Sequence, residues 1–110
     1  MEDYFINYHK INWQEAEGYP EGTKIKILRE EDSARTFLLK IPPGFDMEAH
    51  SHMTNEQHFV LEGHYKSEGK NYGTGTFRFI PKGIDHGPFT SENGAIILVM
   101  WDPLSLESEG

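Results

Sequence analysis

The chain of 110 residues has no cysteine. Disulfides, thiolate metal sites and cysteine nucleophiles are therefore excluded. Long apolar runs are absent too: the longest, Ala95 to Trp101, has the length of a buried strand and not of a membrane span. Basic residues are scarce, ten Lys and Arg against eighteen Asp and Glu, for a formal charge of −8. Such a surface repels phosphate backbones and offers no basic stripe, so nucleic acid is not an expected partner. The start, Met1-Glu2-Asp3-Tyr4, lacks the basic residues and apolar stretch of a secretory signal, and the expected location is the cytoplasm, with no membrane partner. No long helical periodicity stands out; Gln14-Glu15-Ala16-Glu17, before Gly18, has room for one helical turn at most. Gly73-Thr74-Gly75 precedes no helix, which removes the phosphate-loop reading.

What is present are short β-prone segments divided by Gly, Pro and Asn. Lys24–Leu28 alternates and reads as half-buried, and Arg35–Ile41 runs into the breaker Pro42-Pro43-Gly44. Glu56–Leu61 is followed by His64-Tyr65-Lys66 and a polar turn from Ser67 to Lys70; Thr76–Ile80 stops at Pro81-Lys82-Gly83. Ala95–Trp101, the most apolar, ends at Asp102-Pro103. The length suits one domain, and 13% aromatic residues suit an ordered one. The expected fold class is all-β, a closed barrel or a double-sheet jelly roll, either of which offers a mouth for a small ligand. The expected organisation is an N-terminal arm over residues 1–21, a barrel over 22–102 and a flexible acidic tail over 103–110.

Two segments carry the chemistry. From Gly44 to Gly63 the chain holds His50, His52 and Glu56, whose equal parity puts them on one side of an extended strand. His86 follows Pro81-Lys82-Gly83, 30 residues after Glu56. Imidazole nitrogens with one carboxylate oxygen suit one divalent ion: iron, manganese, nickel or zinc. The other reading, that each histidine is a solvated or satisfied side chain, weakens as the spacings recur together.

The two segments resemble the paired motifs of the cupin superfamily. Gly44, His50, His52, Glu56 and Gly63 meet the first motif without a gap, and Gly75, Pro81, Gly83 and His86 meet the second, with Thr90 at the position of its final asparagine. The resemblance covers roughly residues 22 to 102. It implies a cupin-type jelly-roll β-barrel, generally a homodimer, with metal ligands His50, His52, Glu56 and His86. Four such ligands on an octahedral ion leave two positions for substrate or dioxygen, whereas zinc could close the site at four bonds. The function this implies is a metal-dependent enzyme acting on a small oxygenated molecule, dioxygenase-like in first place. The alternatives are a metal-dependent isomerase or lyase, or a non-catalytic metal- or ligand-sensing domain, since the fold does not choose the chemistry.

His58 lies two residues beyond Glu56, so parity turns it toward the same cavity. It is the expected catalytic residue, as a base or substrate contact beside the metal; the competing reading is a lining histidine bonded to a neighbour. Arg78, between Phe77 and Phe79, could bind a substrate carboxylate if it points inward. Alternation favours the outward placement, with both phenylalanines in the core. Phe45, Met47, Phe59, Phe89, Met100 and Trp101 read as core or pocket wall, and Trp13 as an anchor for the N-terminal arm. His64 is expected at the surface, Asp85 in a turn, and no role is assigned to His9.

Overall fold

A computed structural model describes residues 2–51 and 54–102. It contains a 3-10 turn, Tyr8–Lys10, and nine strands: β1 Gln14–Glu15, β2 Lys24–Glu31, β3 Ala34–Ile41, β4 Phe45–Met47, β5 Asn55–Ser67, β6 Lys70–Gly73, β7 Phe77–Ile80, β8 Phe89–Ser91 and β9 Ala95–Asp102. All pairings are antiparallel, and the strands run β1-β2-β3-β9-β5-β8-β4 with β6 and β7 also paired to β5. The result is an all-β, curled sheet of jelly-roll type. Gln14–Glu17 is not a helical turn: Gln14 and Glu15 pair with Ile25 and Lys24 at the sheet edge, where backbone bonding to β2 outweighs local propensity.

Strand β5 organises the fold. Its first half, Asn55 to Gly63, pairs with β9 and β7; its last residues, His64 to Ser67, pair with β6 and β8. The register on β9 slips between Val60 and Glu62. Inward-facing residues are accordingly Glu56, His58 and Val60 before the slip, and Tyr65 and Ser67 after it. Gly63 sits at the crossing with φ +75, and a Cβ there would meet the Gly94 carbonyl oxygen at 2.3 Å. Only glycine allows the two backbones to approach this closely.

The core lies between the curled faces and contains Phe37, Leu39, Ile41, Val60, Ile97 and Val99. Each such side chain contributes roughly 1.5–3 kcal/mol on burial. Cross-strand register stacks them in layers: Glu56 lies opposite Trp101, His58 opposite Val99, and Val60 opposite Ile97. On the other side of β9, Val99 faces Phe37, Ile97 faces Leu39, and Ala95 faces Ile41.

The outer face of the sheet is partly covered by the N-terminal arm. Lys26 is buried there, donating from Nζ to the Tyr8 carbonyl at 2.8 Å, with its ammonium 4.6 Å from the Trp13 ring centre. Trp13 therefore anchors the arm, through a cation–π contact. Phe59, Phe77 and Phe79 point outward and are 41%, 55% and 51% exposed, so they are not core residues. The physical reason is the β5–β7 register, which pairs Arg78 with His58 on the inner face and Phe77 with Phe59 on the outer one. No helix among the described residues is long and apolar enough to cross a membrane. The expected acidic tail lies outside the described residues.

Candidate functional site

His50 and His86 meet across an isolated antiparallel bridge. Each backbone N–H donates to the other's carbonyl, at 3.0 Å from His50 and 2.9 Å from His86, and the ring centroids are 4.9 Å apart. This pairing, not strand parity, brings the two sequence segments together. The His50 Nδ1 is 3.1 Å from the Glu48 carbonyl oxygen. A carbonyl accepts only, so the proton is assigned to Nδ1 and the lone pair to Nε2, the tautomer of a ligating imidazole.

Glu56 and His58 form the second pair. Both are buried, 7% and 6% exposed, and a hydrogen bond joins His58 Nε2 to Glu56 Oε2. His58 Nδ1 is 2.7 Å from the Tyr65 hydroxyl, which also lies 3.4 Å from Arg78 Nη1. The directions of these bonds follow from their ends. Arg78 can only donate and the Glu56 carboxylate can only accept, so Arg78 donates to Tyr65 and His58 Nε2–H to Glu56; in the tautomer with its proton on Nε2 alone, His58 Nδ1 accepts from Tyr65. His58 thus orients the carboxylate. Burial pushes the Tyr65 hydroxyl up to about 12, against the lowering effect of Arg78. Burial, then the Glu56 charge, push the Tyr19 hydroxyl up as well.

Phe89 joins the two pairs: its ring centroid lies 5.1 Å from that of His86, 5.6 Å from His50 and 6.3 Å from His58. A small cavity of about 30 Å³ adjoins them. Tyr19, His50, Glu56, His58 and Tyr65 supply its polar groups, and the other side chains that line it are apolar. Among the described residues no group of three or more His, Asp or Glu side chains is arranged to hold a metal ion. His52, the fourth expected ligand, lies outside the described residues. The donor chemistry nonetheless fits a divalent ion: a tautomer-set imidazole in ring contact with a second, and a buried carboxylate on the same cavity.

Sequence reasoning missed two residues. Tyr65 faces inward only because of the register slip, for which the sequence carries no clear signal. Glu68 occupies the first position of the Glu68-Gly69 turn with φ +49, where Asn, Asp or Gly is preferred; that mismatch was a usable signal. Its carboxylate accepts from Arg78 Nη2 and from the Gly87 backbone N–H, next to His86. Arg78 is directed inward, contrary to the alternation reading, and lies 4.5 Å from the Tyr72 ring centre. Glu68 balances its charge. Asp85 is exposed, two residues past the Lys82-Gly83 turn, while His64 is half-buried and lines a separate surface groove with Lys66 and Asn71.

Residues 1–105 match the ChrR Cupin-like domain. A chain in the crystal structure of Rhodobacter sphaeroides SigE in complex with the anti-sigma ChrR is 25% identical, with TM-score 0.71 over 87% of this chain and 52% of that one. The present chain thus spans about half the length of that relative. An RmlC-like cupin from Shewanella frigidimarina superposes with TM-score 0.77 at 21% identity, covering 97% of this chain and 96% of its own. An acetylacetone dioxygenase from Acinetobacter johnsonii gives TM-score 0.80 at 15% identity, over 92% and 74%. At these identities the last two show the fold alone. No curated protein matches the chain significantly.

Proposed function

We infer, given that this chain belongs to the ChrR cupin-like family, that it binds one divalent metal ion and acts on a small oxygenated organic molecule, with dioxygenase-like chemistry preferred. The observation that carries this reading is the tautomer-set His50, paired with His86, on a cavity shared with buried Glu56. His50, His52, Glu56 and His86 would hold the ion; their donor chemistry accommodates iron, manganese, nickel or zinc. When bound, it would supply a Lewis acid to a ligand oxygen. The chain's own contribution is then positional. His58 orients Glu56 and reaches the cavity as the proposed catalytic contact, and Tyr65 holds His58. A metal-dependent isomerase or lyase would use the same arrangement without oxygen.

A cytoplasmic location and a homodimer form part of this proposal. The exposed Phe59, Phe77 and Phe79 supply an apolar face on which a second copy could close. One observation favours a second reading, a sensing domain with a protein partner: the similar chain from Rhodobacter sphaeroides comes from an anti-sigma complex. Elemental analysis of the purified protein, followed by oxygen uptake on a dicarbonyl and phenol panel, separates the readings. Stoichiometric iron, manganese or nickel with oxygen consumption is expected. Metal with turnover but no oxygen consumption favours the isomerase or lyase; metal with a stable partner and no turnover favours the sensor. No metal after reloading would overturn all three.

A further inference from the structure

His50 and His86 bridge each other from outside the named strands. Donors on irregular backbone need an anchor on the sheet if their spacing from Glu56 is to be fixed, since a binding constellation tolerates displacements of only about 0.5 Å. Glu68 supplies such an anchor. It stands in the turn between β5 and β6 at φ +49, followed by Gly69 at φ +77, where Asn, Asp or Gly is preferred. A glutamate there runs against the local preference, and what it adds is reach. Its Oε2 accepts from the backbone N–H of Gly87, 19 residues further on and adjacent to His86, while its Oε1 accepts from Arg78 Nη2. Arg78 Nη1 donates to the Tyr65 hydroxyl, which bonds His58, which bonds Glu56. One chain of side chains thus runs from Glu56 to the backbone beside His86. Gly87 is closely packed as well: a Cβ there would lie 2.9 Å from Ala49 Cα and 3.2 Å from the Phe89 ring.

We propose that Glu68 is a positioning residue for His86: by bridging Arg78 to the Gly87 N–H, it holds the His86 segment at a fixed spacing from the Glu56–His58 pair. This rests on the metal-site reading and deepens it. The ion pair of Glu68 with Arg78 is partly exposed and by itself adds little stability. Its contribution is direction, because Arg78 fixes one carboxylate oxygen and leaves the other facing Gly87. Acting through a backbone N–H, Glu68 depends on the length of its side chain and not on its charge alone.

The test combines Zn²⁺ affinity of the full chain, by chelator competition, with hydrogen exchange at the Gly87 amide and Tm of the metal-free protein. Glu68→Gly removes the carboxylate and suits the turn; Glu68→Asp also suits it and keeps the charge, but is one methylene too short to span both donors. Both should weaken Zn²⁺ binding by about 10–100-fold, the range for lost outer-shell support. Both should speed exchange at Gly87, without a matching fall in Tm, because the turn gains while the ion pair is lost. Wild-type affinity in Glu68→Asp, with a loss only in Glu68→Gly, reduces Glu68 to a distant charge and overturns the proposal. So does unchanged affinity in both, unchanged exchange at Gly87, or an affinity loss that tracks a fall in Tm; the metal-site reading then stands. If the wild type takes up no Zn²⁺, that reading falls and the proposal with it.

Discussion

His58 Nδ1 lies 2.7 Å from the hydroxyl of Tyr65, seven residues further along the same strand. An odd separation would place the two side chains on opposite faces of a regular strand. They meet because β5 slips its register between Val60 and Glu62. That slip turns a tyrosine toward the barrel interior, where it donates to the one ring nitrogen of His58 that Glu56 does not engage.

Tyr65→Phe should leave that nitrogen buried without its donor. The expected cost is about 1–3 kcal/mol of stability, at about 4–8 °C in Tm per kcal/mol for a domain near this size. Urea unfolding measures it. Nitrogen NMR of His58 should also show the loss of its single tautomer, which a purely volumetric effect would leave intact.

Glu68 supplies the pH dependence. Burial raises its carboxyl, but the Gly87 N–H, the Ser67 hydroxyl and the Arg78 charge together outweigh that and hold it below its ordinary value of 4.5. The folded state therefore binds this proton less readily than the unfolded chain does. Its stabilising contribution is present above pH 4.5 and is lost as pH falls through the depressed folded value. Wild type should exceed Glu68→Gln in Tm at about pH 7, and the difference should shrink on acidification below 4.5. Because the side chain is 41% exposed, solvent keeps the difference small. A gap that stays constant from about pH 7 to about pH 3 would exclude this account.

Two motif glycines should behave differently. Gly63→Ala would place a methyl 2.3 Å from the Gly94 carbonyl oxygen and is expected to unfold or severely destabilise the barrel. Gly44 has φ +78 but nothing within 4 Å of where a methyl would sit, so Gly44→Ala should cost only the left-handed backbone penalty, about 1–2 kcal/mol. Thermal unfolding of the two variants side by side tests the contrast.

The metal assignment predicts that His50→Ala and His86→Ala each weaken Zn²⁺ binding by at least the roughly 10–100-fold typical of lost outer-shell support. Far-UV circular dichroism should remain that of a β protein. A double variant with full affinity in a chelator competition would remove both residues from the ligand set.

The outward phenylalanines predict the assembly. Phe77→Lys combined with Phe79→Lys should shift a homodimer to a monomer in sedimentation, with little change in the monomer's own stability because both positions are exposed. A dimer that persists places its interface elsewhere.

By itself, the sequence determined the fold class and the chemical inventory. Alternating β-prone segments cut by Gly and Pro announced an all-β barrel, because local turns and strand periodicity are written in neighbouring residues, and Gly44, His50, Glu56, Gly63 and His86 carried the resemblance to the cupin superfamily. Which side chains meet was decided by tertiary structure. Arg78 points in and Phe77 and Phe79 point out because β7 pairs with β5 in one register, and alternation alone is symmetric between the two faces. Tyr65 joins the site because a single slip in β5 reverses the parity of everything after it. His50 meets His86 across a bridge between segments 36 residues apart, a contact that no local periodicity encodes.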